Sequence, residues 1–187
     1  KEELTAIDFT KIKTFEDALT ALEYSESSKE YIRNTIKDVF MYSRASAAVC
    51  KLNIIRKALN LGQDLHLTKN PKDSYIYYPY NSFVTKSSTF YKSEINSGKM
   101  EVIGKIKSEG EEYNVLCGYA FDGGCAGLGR FYSDIGVGYA HADVWFLGCA
   151  NKEIAKHLGK YFGMLITESE YGDLDDFTIT NDKYGNA

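Results

Sequence analysis

Residues 45–62, ASAAVCKLNIIRKALNLG, with the aromatic run YIYYPY at 75–80 behind them, decide how the rest of the chain is read. Ala47, Ala48, Val49, Leu52, Ile55, Ala58 and Leu59 recur at steps of three and four, which makes one wide apolar helix face, while Lys51, Arg56 and Lys57 supply a polar one. A helix buried on one side is expected. Asn60 and Gly62 stand where it stops, because Gly enters the left-handed region without steric cost. Tyr75 to Tyr80 is aromatic and β-branched enough for a strand, and Pro79, lacking an N–H, belongs at its end or on an edge.

Working outward toward the N-terminus, Thr14 and Asp17 have the spacing of a capping pair for a short helix from Phe15 to Glu23. Ser25 to Ser28 reads as a turn and a new cap, after which Ile32, Ile36, Val39 and Phe40 repeat at helical spacing. No Gly or Pro lies between Tyr42 and Ala45, so the sequence allows this helix to kink into the next. Toward the C-terminus the period changes to two. Met100, Val102, Gly104 and Ile106 alternate with Glu101, Ile103, Lys105 and Lys107, and Tyr113, Val115, Cys117, Tyr119 and Phe121 alternate with Asn114, Leu116, Gly118 and Ala120 across a turn at 108–111. A hairpin is expected there. Residues 81–99 read as a short strand around Thr89 to Lys92 or as a loop, and 122–140 is a glycine-rich passage of loops and bulges. His141 to Leu147 is expected as a strand, then Asn151 caps a helix with Ile154, Ala155, Leu158, Tyr161, Phe162 and Leu165 on one face. Phe177 to Thr180 is a further strand candidate.

With 187 residues and 44% hydrophobic content, the chain has the size of one ordinary domain with a full core. The net charge is -4, yet residues 167–187 carry six acids and one base, which leaves residues 1–166 at +1. That distribution predicts a single domain over 1–166 and a solvated acidic tail over 167–187. A body without a basic stripe offers little of the phosphate attraction on which nucleic-acid binding depends. No apolar run approaches a membrane span and no leader pattern opens the sequence, so a cytoplasmic location without a membrane partner is expected. Cys50, Cys117, Cys125 and Cys149 are dispersed as reduced, buried thiols would be.

Chemistry-bearing patterns are thin. Gly123, Gly124, Gly127 and Gly129 lack the Gly-Lys-Ser/Thr ending and the G-x-G-x-x-G spacing of phosphate loops, so conformational need explains them better than a nucleotide. Cys125, His141 and Asp143 have the residue types of a nucleophile, base and orienter, but such triples arise readily by composition. His66, His141 and His157 are far apart, and no paired Cys or His motif occurs; no metal, cofactor or catalytic residue is expected.

Four segments taken in order resemble a known group: KIKTFEDA at 11–18, KLNIIRKALNLG at 51–62, YIYYPY at 75–80 and NKEIAKHLGKYF at 151–162. They are similar to a family of small uncharacterised proteins from Bacteroidetes phages and mobile elements, including crAss-like phages. The family has tryptophans where Gln63, Asp64 and Leu65 stand here, and 81–116 resembles an insertion. The resemblance implies a phage or mobile-element origin, with the host cytoplasm or the virion as its setting, and assigns no catalytic residues.

Fifteen Tyr and ten Phe are the one compositional excess, and Tyr couples large contact area with few rotors. The resulting expectation is an α+β fold: a mainly antiparallel, twisted sheet packed by N-terminal helices and one C-terminal helix. The expected function is a non-enzymatic interaction module that binds a protein partner through Tyr75, Tyr77, Tyr78 and Tyr80 with Arg130, Phe131, Tyr132 and Tyr139 of the glycine-rich passage. The alternatives are a single-stranded nucleic-acid binder, stacking bases on 75–80 beside Lys86, Lys92, Lys99, Lys105 and Lys107, and a thiol-dependent enzyme or small-ligand binder at the glycine-rich passage.

Overall fold

Each helix begins where a short polar side chain can replace the hydrogen bonds that the first turn lacks. Thr14 caps α1 (Phe15–Ala21), and its hydroxyl accepts from the Asp17 N–H (3.1 Å) while the Asp17 carboxylate accepts from the Thr14 N–H (2.9 Å). Ser25 caps α2 (Glu26–Phe40), Ser43 caps α3 (Arg44–Leu59), and Asn151 caps α4 (Lys152–Tyr171). In the computed structural model these elements, with the residues around them, lie within the described residues 7–63, 77–79, 83–84, 93, 95–98, 100–108, 110–118, 127–128 and 147–187. A 3-10 turn at Phe9–Lys11 precedes α1. The Ser43 cap settles the junction that the sequence left open: α2 stops at Phe40, and α3 starts afresh after a turn.

The strands are β1 (Phe83–Val84), β2 (Met100–Ser108), β3 (Glu111–Gly118), β4 (Gly127–Leu128) and β5 (Thr178–Asp182). They form an antiparallel sheet in the order β1-β3-β2-β5, with β4 paired to the same edge of β3 that β1 uses. Gly110, at φ 79°, turns the chain between β2 and β3. The fold is thus α+β. Of the expected aromatic strand, Tyr77 to Pro79 are described, and Tyr77 makes an isolated antiparallel bridge to Cys149. The strand expected at Thr89 to Lys92 lies outside the described residues, as does the one expected at His141 to Leu147 except for Leu147, which is not in a strand.

Two features of the sheet depart from simple alternation. Val102 pairs with Leu116 and Gly104 with Val115, so Ile103 is an extra residue in β2. Glu101 opposite Cys117 and Gly104 opposite Val115 therefore share a face, although period two places them on opposite faces. Residues 167–187, read from their acidity as a tail, finish α4 and supply β5. The acids occupy mostly exposed positions, whereas Phe177 is buried and Asn186 is held by its side chain, which donates to the carbonyls of Lys13 (2.9 Å) and Tyr161 (2.8 Å). Net charge averages over that pattern and hides it.

The core lies where α3 runs antiparallel to α4 and α4 packs on the sheet. Ala48, Leu52, Ile55, Ala58 and Leu59 belong to one buried cluster with Ile154, Leu158, Phe162 and Leu165 of α4 and with Ile106 and Val115 of the strands. α4 approaches β2 closely at Gly104. A Cβ there would overlap the Met164 sulfur and lie 2.6 Å from the Asn181 carbonyl oxygen of β5. Met164 can swing aside; the β5 backbone cannot without losing its ladder. Gly104→Ala is therefore expected to cost about 1–3 kcal/mol in urea unfolding, and adding Met164→Ala is expected not to restore wild-type stability.

Candidate functional site

Of the aromatic residues expected at a binding face, Tyr78 is 8% exposed and belongs to the core, and Tyr77 is half-buried with its N–H and carbonyl bonded to Cys149 (3.2 and 2.7 Å). Tyr78 is thus a packing residue. Tyr75, Tyr80, Arg130, Phe131, Tyr132 and Tyr139 lie outside the described residues, as do Cys125, His141 and Asp143. Of the lysines assigned to nucleic acid, Lys105 is engaged by Glu112 at 3.3 Å, Lys107 is exposed, and Lys86, Lys92 and Lys99 lie outside the described residues.

Three described groupings have the residue types of a site. The first surrounds Glu101, which the β2 bulge places on the Gly104 face. It is bonded by Lys183, receives the Tyr184 hydroxyl at 2.7 Å and pairs with Lys160 at 3.4 Å. Burial opposes its ionisation, but the hydrogen bonds from Lys183 and Tyr184, aided by Lys160, prevail and hold the carboxyl at about 2. Every charge there has a partner, which is the pattern of a surface clamp. The second is the pair of buried thiols: desolvation pushes both Cys117 and Cys149 up to about 12, so they stay protonated at neutral pH and make poor nucleophiles. The third is a groove of about 350 Å³ between the N-terminal arm and α1, whose carboxylates are already taken, Asp8 by Thr10 and Asp17 by the N–H groups of Lys13 and Thr14. Among the described residues no three His, Cys, Asp or Glu side chains gather closely enough to hold a metal ion, and no helix is long and apolar enough to cross a membrane.

A fourth grouping is different in kind. Tyr31, Phe40, Met41, Tyr42 and Leu174 are 74, 48, 77, 92 and 52% exposed. Ile32, Ile36 and Val39 turn α2 toward its neighbours, while Phe40, expected on that same face, stands largely outside. The backbone fixes this arrangement. The N–H groups of Met41 and Tyr42 donate to the carbonyls of Asp38 and Val39 (3.2 and 3.0 Å), and the next residue, Ser43, is held as the α3 cap. The Ser43 hydroxyl also donates to Asp173 at 2.5 Å, and the other oxygen of that carboxylate accepts from the Ala45 N–H at 3.1 Å. Asp173 is followed at once by Leu174, and a Cβ on Gly172 would lie 3.1 Å from the Ala45 nitrogen. The α2–α3 turn and the α4–β5 turn are thus tied into one corner, with Phe40, Met41, Tyr42 and Leu174 on its outside.

The sequence hides this corner because Phe40 fits the helical spacing of its neighbours. Its signal was the run FMY at 40–42 directly before a Ser cap, which puts three large apolar residues where the chain leaves a helix. Searches of protein-family models, of curated proteins and of solved structures find no match to this chain.

Proposed function

We propose that the chain is a phage- or mobile-element-derived, non-enzymatic interaction module, and that it binds its protein partner through the corner formed by Phe40, Met41, Tyr42 and Leu174. The observation that carries this reading is the exposure of Met41 and Tyr42 at 77 and 92% on a turn whose backbone is pinned at both ends. Each such side chain gains about 1.5–3 kcal/mol when a partner covers it, and a pinned turn loses little entropy on doing so. Tyr, Phe and Met are also the residue types enriched at the centres of interfaces. The resemblance to phage and mobile-element proteins supports the proposed origin.

The test is site-specific photo-cross-linking in the native host, with the cross-linker at position 42 or, as a control, at the exposed Asn53 of α3. A discrete protein adduct is expected from position 42 alone, reduced about 10-fold or more by Met41→Ser. Stability should stay within about 0.5 kcal/mol of wild type, since the side chain is already in water. Equal adducts from both positions, or none from position 42, would overturn the assignment of the surface.

A further inference from the structure

The charge around the corner narrows the class of partner. Residues 37–44 and 168–177 contain six carboxylates (Asp38, Glu168, Glu170, Asp173, Asp175, Asp176) against two cations, Lys37 and Arg44. Their excess of four negative charges equals the net charge of the whole chain, -4, so the remaining residues sum to zero. Arg44 pairs with the buried Glu168 (2.9 Å), and the acids Asp38, Asp173 and Asp175 are exposed.

We infer that the partner presents a basic amphipathic segment, lysine- or arginine-rich with an apolar stripe, to the corner; this rests on the corner being the contact surface. The apolar stripe covers Phe40, Met41 and Tyr42 while its cations meet the acidic rim, the arrangement in which charge sets orientation and encounter rate and apolar burial sets residence. Other occupants meet repulsion. A second copy of this chain, related by a two-fold axis, brings the same acidic rim against itself. A nucleic acid or an anionic lipid surface carries the same sign of charge as the rim.

Three synthetic amphipathic helices with one leucine stripe and Lys, Gln or Glu on the polar face serve as probes, titrated against the full chain by fluorescence anisotropy at low salt and at about 0.15 M. The Lys helix is expected to bind about 10-fold tighter than the Gln helix at low salt, with the difference shrinking as salt screens it. Asp38→Lys/Asp175→Lys should abolish that preference, and Met41→Ser/Tyr42→Ser should abolish binding. Gln or Glu helices binding as tightly as Lys, yet still losing affinity in Met41→Ser/Tyr42→Ser, would overturn the basic partner and leave the corner standing. Binding of the Lys helix that ignores Met41→Ser/Tyr42→Ser would overturn the corner itself. No binding of any helix to a chain shown folded by circular dichroism would overturn the inference of a basic amphipathic segment.

Discussion

Arg44→Met is expected to lower the unfolding free energy by about 3 kcal/mol, more than Glu168→Gln does, and the two changes together are expected to cost less than Arg44→Met alone. The reason is the unequal burial of the two partners. The Glu168 side chain is 5% exposed and accepts from Arg44 through Nε (3.2 Å) and Nη2 (2.9 Å), whereas the Arg44 side chain is 35% exposed. Removing the guanidinium strands a buried carboxylate; removing the carboxylate leaves a cation that can turn to water. Adding Glu168→Gln to Arg44→Met takes away the stranded charge and should recover about 1–2 kcal/mol. Urea unfolding of the two single variants and the double variant at neutral pH checks this. Equal costs for Arg44→Met and Glu168→Gln would show that the pair is no more than a surface contact.

The same pair explains why two helix ends of unsuitable charge are tolerated. The first turn of α3 has no acid and begins with a cation, and the last turn of α4 has no base, so each end is opposed by its own macrodipole. Each supplies what the other lacks. Glu168 and Asp173 come from the end of α4 and the turn after it to the positive end of α3, and Arg44 of α3 lies beside the negative end of α4. Hydrogen bonds from the Ser43 hydroxyl and the Ala45 N–H hold the Asp173 carboxyl below its ordinary value. One side of the clamp is also the base of the apolar corner, so the contact surface proposed above is built on the helix pair that carries the core.

This division marks what the sequence disclosed and what it did not. The apolar periods of α3 and α4, the Thr14 and Asp17 capping box and the alternation in β2 and β3 are local, and neighbouring residues suffice to read them. The clamps join residues more than 80 positions apart through Asn, Ser, Arg and acids, types that also serve on any surface. The bulge at Ile103 was hidden because an apolar residue fits either face of a half-buried strand. Strand β5 was legible at Phe177 to Thr180, but six acids outweigh Phe177, Ile179 and Tyr184 in any average over 167–187 and make the residues around it read as a tail. The residue type of Tyr78 suits a buried core as well as a contact surface, and only the fold decides between them.

Asn60→Ala is expected to cost about 3 kcal/mol, because the asparagine reads locally as a helix stop but works as the second clamp. Its side chain donates to the carbonyls of Arg56 (2.8 Å) and Gly148 (3.2 Å) and accepts from the Ala150 N–H (2.7 Å), joining the end of α3 to the segment that leads into α4. The bonds to Gly148 and Ala150 are buried, and truncation leaves a donor and an acceptor without partners where water does not reach, at about 1–3 kcal/mol each. Asn60→Asp preserves the acceptor for Ala150 but removes the donor to Gly148 and buries a charge, so it is expected to be no milder at neutral pH. Native-state hydrogen exchange gives the local readout: the Ala150 amide should lose its protection in Asn60→Ala while amides around Ala45 keep theirs. The clamps lie at opposite ends of a 16-residue helix, roughly 24 Å apart, so the costs of Asn60→Ala and Arg44→Met should add within about 0.5 kcal/mol. Coupling well beyond that, with protection lost at both ends in either variant, would mean that α3 and α4 separate as a unit when one end is freed.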